Sequence, residues 1–213
     1  MDANKKAIIK KKIEKTIKNL ESNKMQAFYV ESKEQAVDKV KELIDEGAVV
    51  TCGGSMTLFE AGIIDHLRSG RYNFLDRYKP GLTPEQIKEI YIKAFSSDVY
   101  LCSTNAITEN GELYNVDGNS NRVAAMIYGP KSVIVVAGYN KIVKNIDEAV
   151  ERVKSIAAPA NATRLSCKTP CVHTGQCENC KSDDRICCNY VVMAQQRHKG
   201  RVKVIIVGEE LGY

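Results

Sequence analysis

A chain of 213 residues, 44% apolar and 27% charged, has the size and composition of one globular domain. No apolar run nears the roughly 20 residues that cross a bilayer, and residues 1–15 hold no signal-peptide core, so a cytoplasmic protein with no membrane span is expected. The net charge of +5 invites a nucleic-acid reading, but residues 1–24 hold eight lysines against Asp2, Glu14 and Glu21, which accounts for the whole excess; on a neutral body no nucleic acid is expected as partner.

Residues 3–21 read as a basic amphipathic helix, with Ile9, Ile13, Ile17 and Leu20 at helical spacing among lysines. Docking by that stripe onto the body is a plainer reading than a membrane or nucleic-acid surface. Residues 25–30 form a short strand. Ser32 caps a helix to about residue 46, with Ala36, Val37, Val40, Leu43 and Ile44 facing inward, and Gly47 ends it. Residues 48–52 are a buried strand, and Gly53, Gly54 and Ser55 turn it into a helix starting near Met56. Thr83-Pro84-Glu85 opens a helix that carries Ile87, Ile90, Tyr91 and Phe95.

Residues 98–103 read as the next strand. Residues 105–108 and 113–116 flank Glu109-Asn110-Gly111, and an Asn-Gly pair between short apolar runs predicts a hairpin. A helix over 119–128 stops at Gly129-Pro130. Residues 131–137 are a continuous apolar strand of the kind buried on both faces. A helix follows over 146–157, and residues 203–208 make a last buried strand. The alternation predicts an α/β fold with a mostly parallel, Rossmann-like sheet, made mixed by an inserted β-hairpin. The expected layout is a basic helix over 1–24, then an α/β domain over 25–213 with an aperiodic, cysteine-rich segment at 159–190.

Three constellations are candidates for chemistry. In the turn after the second strand, Gly53 and Gly54 let the backbone approach an anion. Ser55 and Thr57 add hydroxyls, and a helix N-terminus adds free N–H groups. It matches neither a Walker loop nor GxGxxG, and the same residues serve a plain turn with Ser55 as helix cap. In the second, Glu109 and Asp117 stand at the ends of the hairpin strands with Asn105, Asn110 and Asn119 nearby. Either carboxylate is a candidate nucleophile or general base, although Asn, Gly and Asp are also what turns require.

The third is the cysteine segment. Six of eight cysteines fall within 22 residues, and Cys171, Cys177, Cys180 and Cys187 are the candidate metal ligands. Thiolates suit zinc or an iron–sulfur cluster. The spacing departs from the bacterial ferredoxin run, His173 is a further nitrogen donor, and uncoordinated thiols are the alternative. His66 and His198 stand in charged surroundings and read as surface residues.

Four stretches together resemble the LUD-domain (lactate-utilisation) family: GGSMTLFEAGI at 53–63, STNAITENG at 103–111, NVDGNSNRVAA at 115–125 and GPKSVIVVAG at 129–138. The resemblance implies a fold similar to the NagB/RpiA/CoA-transferase superfamily, where the equivalent glycine-rich loop binds sugar phosphate or the acyl/CoA portion. Class I CoA transferases carry a catalytic glutamate in Ser-Glu-Asn-Gly; Thr108-Glu109-Asn110-Gly111 keeps the Glu-Asn-Gly core, which makes Glu109 a candidate nucleophile. Family membership implies organic-acid (lactate) utilisation alongside iron–sulfur partner proteins. The expected function is therefore binding of a small anionic metabolite at residues 53–57. The alternatives are a metal- or iron–sulfur-binding redox subunit and a CoA-transferase-like enzyme using Glu109. A homo-oligomer stays open.

Overall fold

The computed structural model describes residues 2–213. The first helix, α1 (Ala3–Ser22), is capped by Asp2, whose carboxylate accepts from the Asn4 and Lys5 N–H groups. It buries Ile13, Thr16 and Leu20 and keeps its lysines in solvent. Next come β1 (Gln26–Val30), α2 (Lys33–Leu43), β2 (Val49–Cys52), α3 (Met56–Glu60), α4 (Ile63–Leu67) and β3 (Asn73–Leu75). They are followed by α5 (Pro84–Lys93), β4 (Val99–Cys102), β5 (Ala106–Thr108), β6 (Leu113–Asp117), α6 (Asn121–Ile127) and β7 (Ser132–Gly138). The last part holds β8 (Ile142–Val143), α7 (Ile146–Arg152), α8 (Ala158–Arg164), α9 (Cys171–Thr174), β9 (Asn189–Met193) and β10 (Val202–Val207).

Six strands form one sheet in the order β1-β10-β7-β4-β2-β3, and every ladder in it is parallel. Successive side chains of a strand face opposite ways, and β7 shows the result. Ile134 and Val136 pack with α2, α3 and α4 residues such as Val40, Leu58 and Ile64, while Val133, Val135 and Ala137 pack with Ile13 and Leu20 of α1 and Met126 of α6. Burial on both faces is why β7 from Val133 to Ala137 and β10 from Val204 to Val207 are continuously apolar.

The hairpin does not enter that sheet. β5 and β6 pair antiparallel, β8 adds to β5 and β9 adds to β6, giving a second sheet in the order β8-β5-β6-β9. The expected mixed sheet is thus two sheets. The chain leaves the first at Ser103, and the Thr104 hydroxyl, 3.0 Å from both the Ala106 and Tyr114 carbonyls, ties the base of the hairpin in its new direction.

The expected helix over 146–157 runs on into the aperiodic region. α7 passes through a π turn, Val153–Ala157, directly into α8. In that turn the Ala158 N–H bonds the Val153 carbonyl, five residues back. The same step would pair Lys154 with residue 159, which is proline and has no N–H to give. The Cys177 N–H supplies the missing donor at 3.0 Å. One proline thus fixes where the cysteine segment meets the helix.

Candidate functional site

β2, β4 and β7 are neighbours, and their carboxyl ends open onto one cleft of about 330 Å³. This is where parallel α/β sheets place ligands, because the loops that leave the strands diverge there. Gly54 and Ser55 follow β2, Ser103 to Asn105 follow β4, and Lys141 follows β7. Asp117, Asn119 and Arg122 come from the segment after β6, Arg164 from α8, and Arg185, Ile186 and Cys188 from the cysteine segment; Tyr213 completes the wall. Among the described residues that line the cleft, Asp117 is the one carboxylate, against Arg77, Arg122, Lys141, Arg164 and Arg185.

Arg122 is the scaffold. Its Nη1 donates to the Ser103 carbonyl at 3.1 Å and to Asn115 Oδ1 at 2.6 Å. Its Nη2 donates to Asn105 Oδ1 at 3.1 Å and to the Val116 carbonyl at 2.8 Å, and its Nε stands 3.3 Å from Asp117 Oδ2. One planar group with donors fixed in a fork therefore joins the end of β4 to β6. Gly53 is required by the same packing, since a Cβ there would come within 2.7 Å of Tyr100 Oη and 3.1 Å of Arg122 Cγ.

Lys141 is 2% exposed, and its Nζ donates to two hydroxyls, Thr57 Oγ1 at 3.0 Å and Ser103 Oγ at 3.1 Å. Burial, with the charges of Arg152 and Arg122 adding to it, pulls this amine down to about 7. Arg152 is itself held beneath the cleft, by the Asn140 and Asn105 carbonyls at 3.1 and 2.7 Å.

Several polar atoms around the cleft are buried without a hydrogen-bond partner. Among the described residues they include Arg77 Nε, Asp117 Oδ2 and Tyr213 Oη on the lining and Asn115 Nδ2 behind it. Asp117 Oδ2 lies close enough to Arg122 for charge attraction, but no hydrogen bond forms. The Arg77 guanidinium stacks on the rings of Tyr78 and Tyr91, 5.2 and 4.8 Å from their centres, which holds it in place.

The expected residues divide sharply. Gly54, Ser55, Asn105, Asp117 and Asn119 line the cleft, with Gly53 and Thr57 immediately behind. Ser55 also caps α3, accepting from the Leu58 N–H at 3.2 Å. With five residues α3 has little dipole, so side chains carry the positive potential of this cleft. Glu109 and Asn110 lie elsewhere. Lys15 of α1 donates to Glu109 at 2.7 Å and, with Lys12 at 3.5 Å, holds its carboxyl below the usual range against the opposing effect of burial.

The rest of that turn is also a seat for α1. Asn19 donates to the Glu109 carbonyl and Asn23 to those of Asn110 and Gly111, and a Cβ on Gly111 would meet the α1 backbone at 2.5 Å. His66 is 3.1 Å from the Tyr72 hydroxyl, and His173 and His198 are exposed. Cys171, Cys177, Cys180 and Cys187 border one small cavity, though among the described residues no three His, Cys, Asp or Glu side chains converge to hold a single metal ion.

Sequence reasoning passed over Arg77, Lys141, Arg164, Arg185 and Tyr213. Arg122 lay inside the stretch 115–125 but was not singled out. Lys141, a charge just past a buried strand's carboxyl end, carried a usable signal.

Together these features define an α/β domain with a cationic cleft at the carboxyl edge of a parallel sheet. The chain belongs to the LUD-domain family, whose profile matches residues 13–207. A DUF162 family protein from Deinococcus radiodurans has a similar fold: 18% identity, TM-score 0.52, over 95% of this chain and 98% of that one. Weaker, partial likenesses are to ribose 5-phosphate isomerase from Plasmodium falciparum (18% identity, TM-score 0.34, 53% of this chain and 52% of that one) and to eIF2B beta from Chaetomium thermophilum (15%, 0.37, 54% and 43%). Neither carries an argument at those scores. No curated protein matches the chain. Among the described residues no helix is long and apolar enough to cross a membrane.

Proposed function

We propose that this chain binds a small organic-acid anion of the lactate and pyruvate class in the cleft and serves organic-acid utilisation. The observation that carries the reading is a set of buried polar atoms on one cationic cleft that make no hydrogen bond among the described residues: Arg77 Nε, Tyr213 Oη and Asp117 Oδ2, the last with only the charge of Arg122 beside it. A buried polar atom without a partner costs about 1–3 kcal/mol, and a ligand with both acceptor and donor oxygens relieves it. A 2-hydroxy acid has both: its carboxylate suits Arg77 and Lys141, and its hydroxyl suits Asp117. The family's lactate-utilisation name supports the same class.

Lys141 makes the binding pH-dependent. An anion beside a half-protonated amine favours the ammonium form, so binding takes up protons, and affinity falls as pH rises above about 7. Calorimetry with lactate, pyruvate, inorganic phosphate and ribose 5-phosphate, in two buffers of different ionisation heat, tests both parts. Saturable binding of lactate or pyruvate with proton uptake is expected. Binding of the phosphates alone would replace the ligand class, and no binding by any of the four would end the reading. The acyl-transfer alternative needs a free carboxylate, and Glu109 lies under α1, ion-paired.

A further inference from the structure

Three separate parts of the chain close around one amine. Thr57 stands on α3, Ser103 follows β4, and Lys141 follows β7. Lys141 Nζ donates to Thr57 Oγ1 at 3.0 Å and to Ser103 Oγ at 3.1 Å. Neither hydroxyl needs the lysine as an acceptor. Thr57 donates its own hydrogen to the Leu211 carbonyl and Ser103 donates to the Thr104 carbonyl, each at 3.3 Å. Both hydroxyls therefore act on Nζ as acceptors and fix two of the three outward positions of the nitrogen. The third has no hydrogen bond among the described residues, and Lys141 is on the cleft wall.

A lysine buried for structural reasons is normally paired with a carboxylate. Among the described residues no carboxylate lies within ion-pair distance of Lys141 Nζ. Asp117, the one carboxylate among those lining the cleft, stands beside Arg122. Burial, then the charges of Arg152 on α7 and Arg122 on α6, bring the amine down to about 7, with Glu60 of α3 and Cys102 of β4 opposing them. Near neutral pH a large share of molecules thus carries a lone pair on Nζ, as a nucleophilic amine must. Lys203 makes the contrast. It is partly buried and donates to Ser132 Oγ at 2.7 Å and to the Gly200 carbonyl at 2.9 Å, but it does not line the cleft.

We infer that Lys141 is a nucleophile that holds a 2-oxo acid covalently, as an iminium between Nζ and C2. The inference rests on the reading that an organic acid of the lactate and pyruvate class occupies the cleft. It also separates the two, because pyruvate has a carbonyl at C2 and lactate does not. In the step, Nζ forms a bond to C2. The carbonyl oxygen leaves as water, with one hydrogen from the amine and one proton from solvent. No electrons are gained or lost, and the iminium keeps a positive charge beside the substrate's carboxylate. A carboxylate drawn in by the arginines of the cleft carries C2 one bond behind it, into the space that Lys141 lines.

The test incubates the intact chain near neutral pH with pyruvate and sodium cyanoborohydride. The reagent adds hydride to an iminium and leaves a 1-carboxyethyl group on the nitrogen, and peptide mapping by mass spectrometry reads its position. Label on Lys141 is expected about tenfold or more above that on any other lysine, since exposed lysines are almost wholly protonated there. Lactate should leave none. Lys141→Arg keeps a cation and removes the nucleophile, so label per intact chain should fall to the lactate background. Pyruvate that binds by calorimetry without labelling Lys141 would overturn the inference and leave the anion reading standing. Absence of both binding and label would remove both. Label spread evenly over exposed lysines, or undiminished in Lys141→Arg, would also refute the nucleophile.

Discussion

The hairpin tip and the cleft carry the same residue types, asparagine, glycine, carboxylate and basic side chains, and put them to opposite uses. At the tip, the Glu109 carboxylate and the carbonyls of Glu109, Asn110 and Gly111 all take partners from α1. At the cleft, Arg77 Nε and Tyr213 Oη are buried without a hydrogen bond among the described residues, and Asp117 Oδ2 has only the charge of Arg122 beside it. A satisfied constellation is an internal joint, whereas an unsatisfied one has room for something else. Composition cannot separate the two; hydrogen-bond accounting does.

The largest way to break this contrast is at Arg122, which holds the cleft open. Its pair with Asp117 is about nine-tenths removed from solvent on both sides. Arg122→Ala should cost ~3–5 kcal/mol, as for other broken buried pairs, read as a lower urea midpoint. Arg122→Lys should recover little of it, because an ammonium cannot bridge the same acceptors.

Next is Lys141→Met. Organic-acid affinity should fall about tenfold or more, the worth of a charge-assisted hydrogen bond of ~1.5–3 kcal/mol. The stability profile sharpens the point. Lys141 titrates near 7 in the folded chain and near 10.5 when unfolded, so the unfolded state holds the extra proton between those values. Stability contributed through this residue therefore rises with pH across that window. Lys141→Met should flatten that rise, as followed by urea titrations from pH 6 to pH 10 on the ~25 °C scale; an unchanged slope would mean that the amine is not buried as described.

Gly53→Ala tests the crowding behind the loop, where the new methyl meets Tyr100 Oη and the Arg122 stem. Overpacking of this kind costs ~1–3 kcal/mol. The smallest effect belongs to the tip. Glu109→Gln removes a pair whose lysines are half exposed, so ~0–1 kcal/mol is expected. Organic-acid affinity should be unchanged by calorimetry. If Glu109→Gln weakened binding as much as Lys141→Met, the division between joint and site would collapse.

The sheet was legible because burial on both faces leaves an unmistakable trace, as in residues 131–137 and 203–208. Ser32 and Thr83 were readable as helix starts because capping is a local bond, and each side chain accepts from the N–H group three residues on. β3, β8 and β9 were missed. β8 has two residues and β3 three, and β9 is a sheet edge with Tyr190 and Val192 exposed, so neither length nor periodicity marks them. The glycine loop was found because its chemistry is contiguous. Its partners Arg77, Lys141, Arg164 and Arg185 come from four separate segments, and a convergence of that sort exists only after folding.

The strand order has a consequence for how the chain is made. β10 (Val202–Val207) lies between β1 (Gln26–Val30) and β7, so strands far apart in sequence are neighbours in the sheet. Until β10 is in place, β1 has no strand to pair with and α1 has only part of its seat. Contacts so distant in sequence form slowly, and an unpaired apolar strand is prone to join its neighbours' chains meanwhile. The eight lysines at the front of the chain, which make no contribution to the cleft, are well placed to keep waiting copies apart by charge.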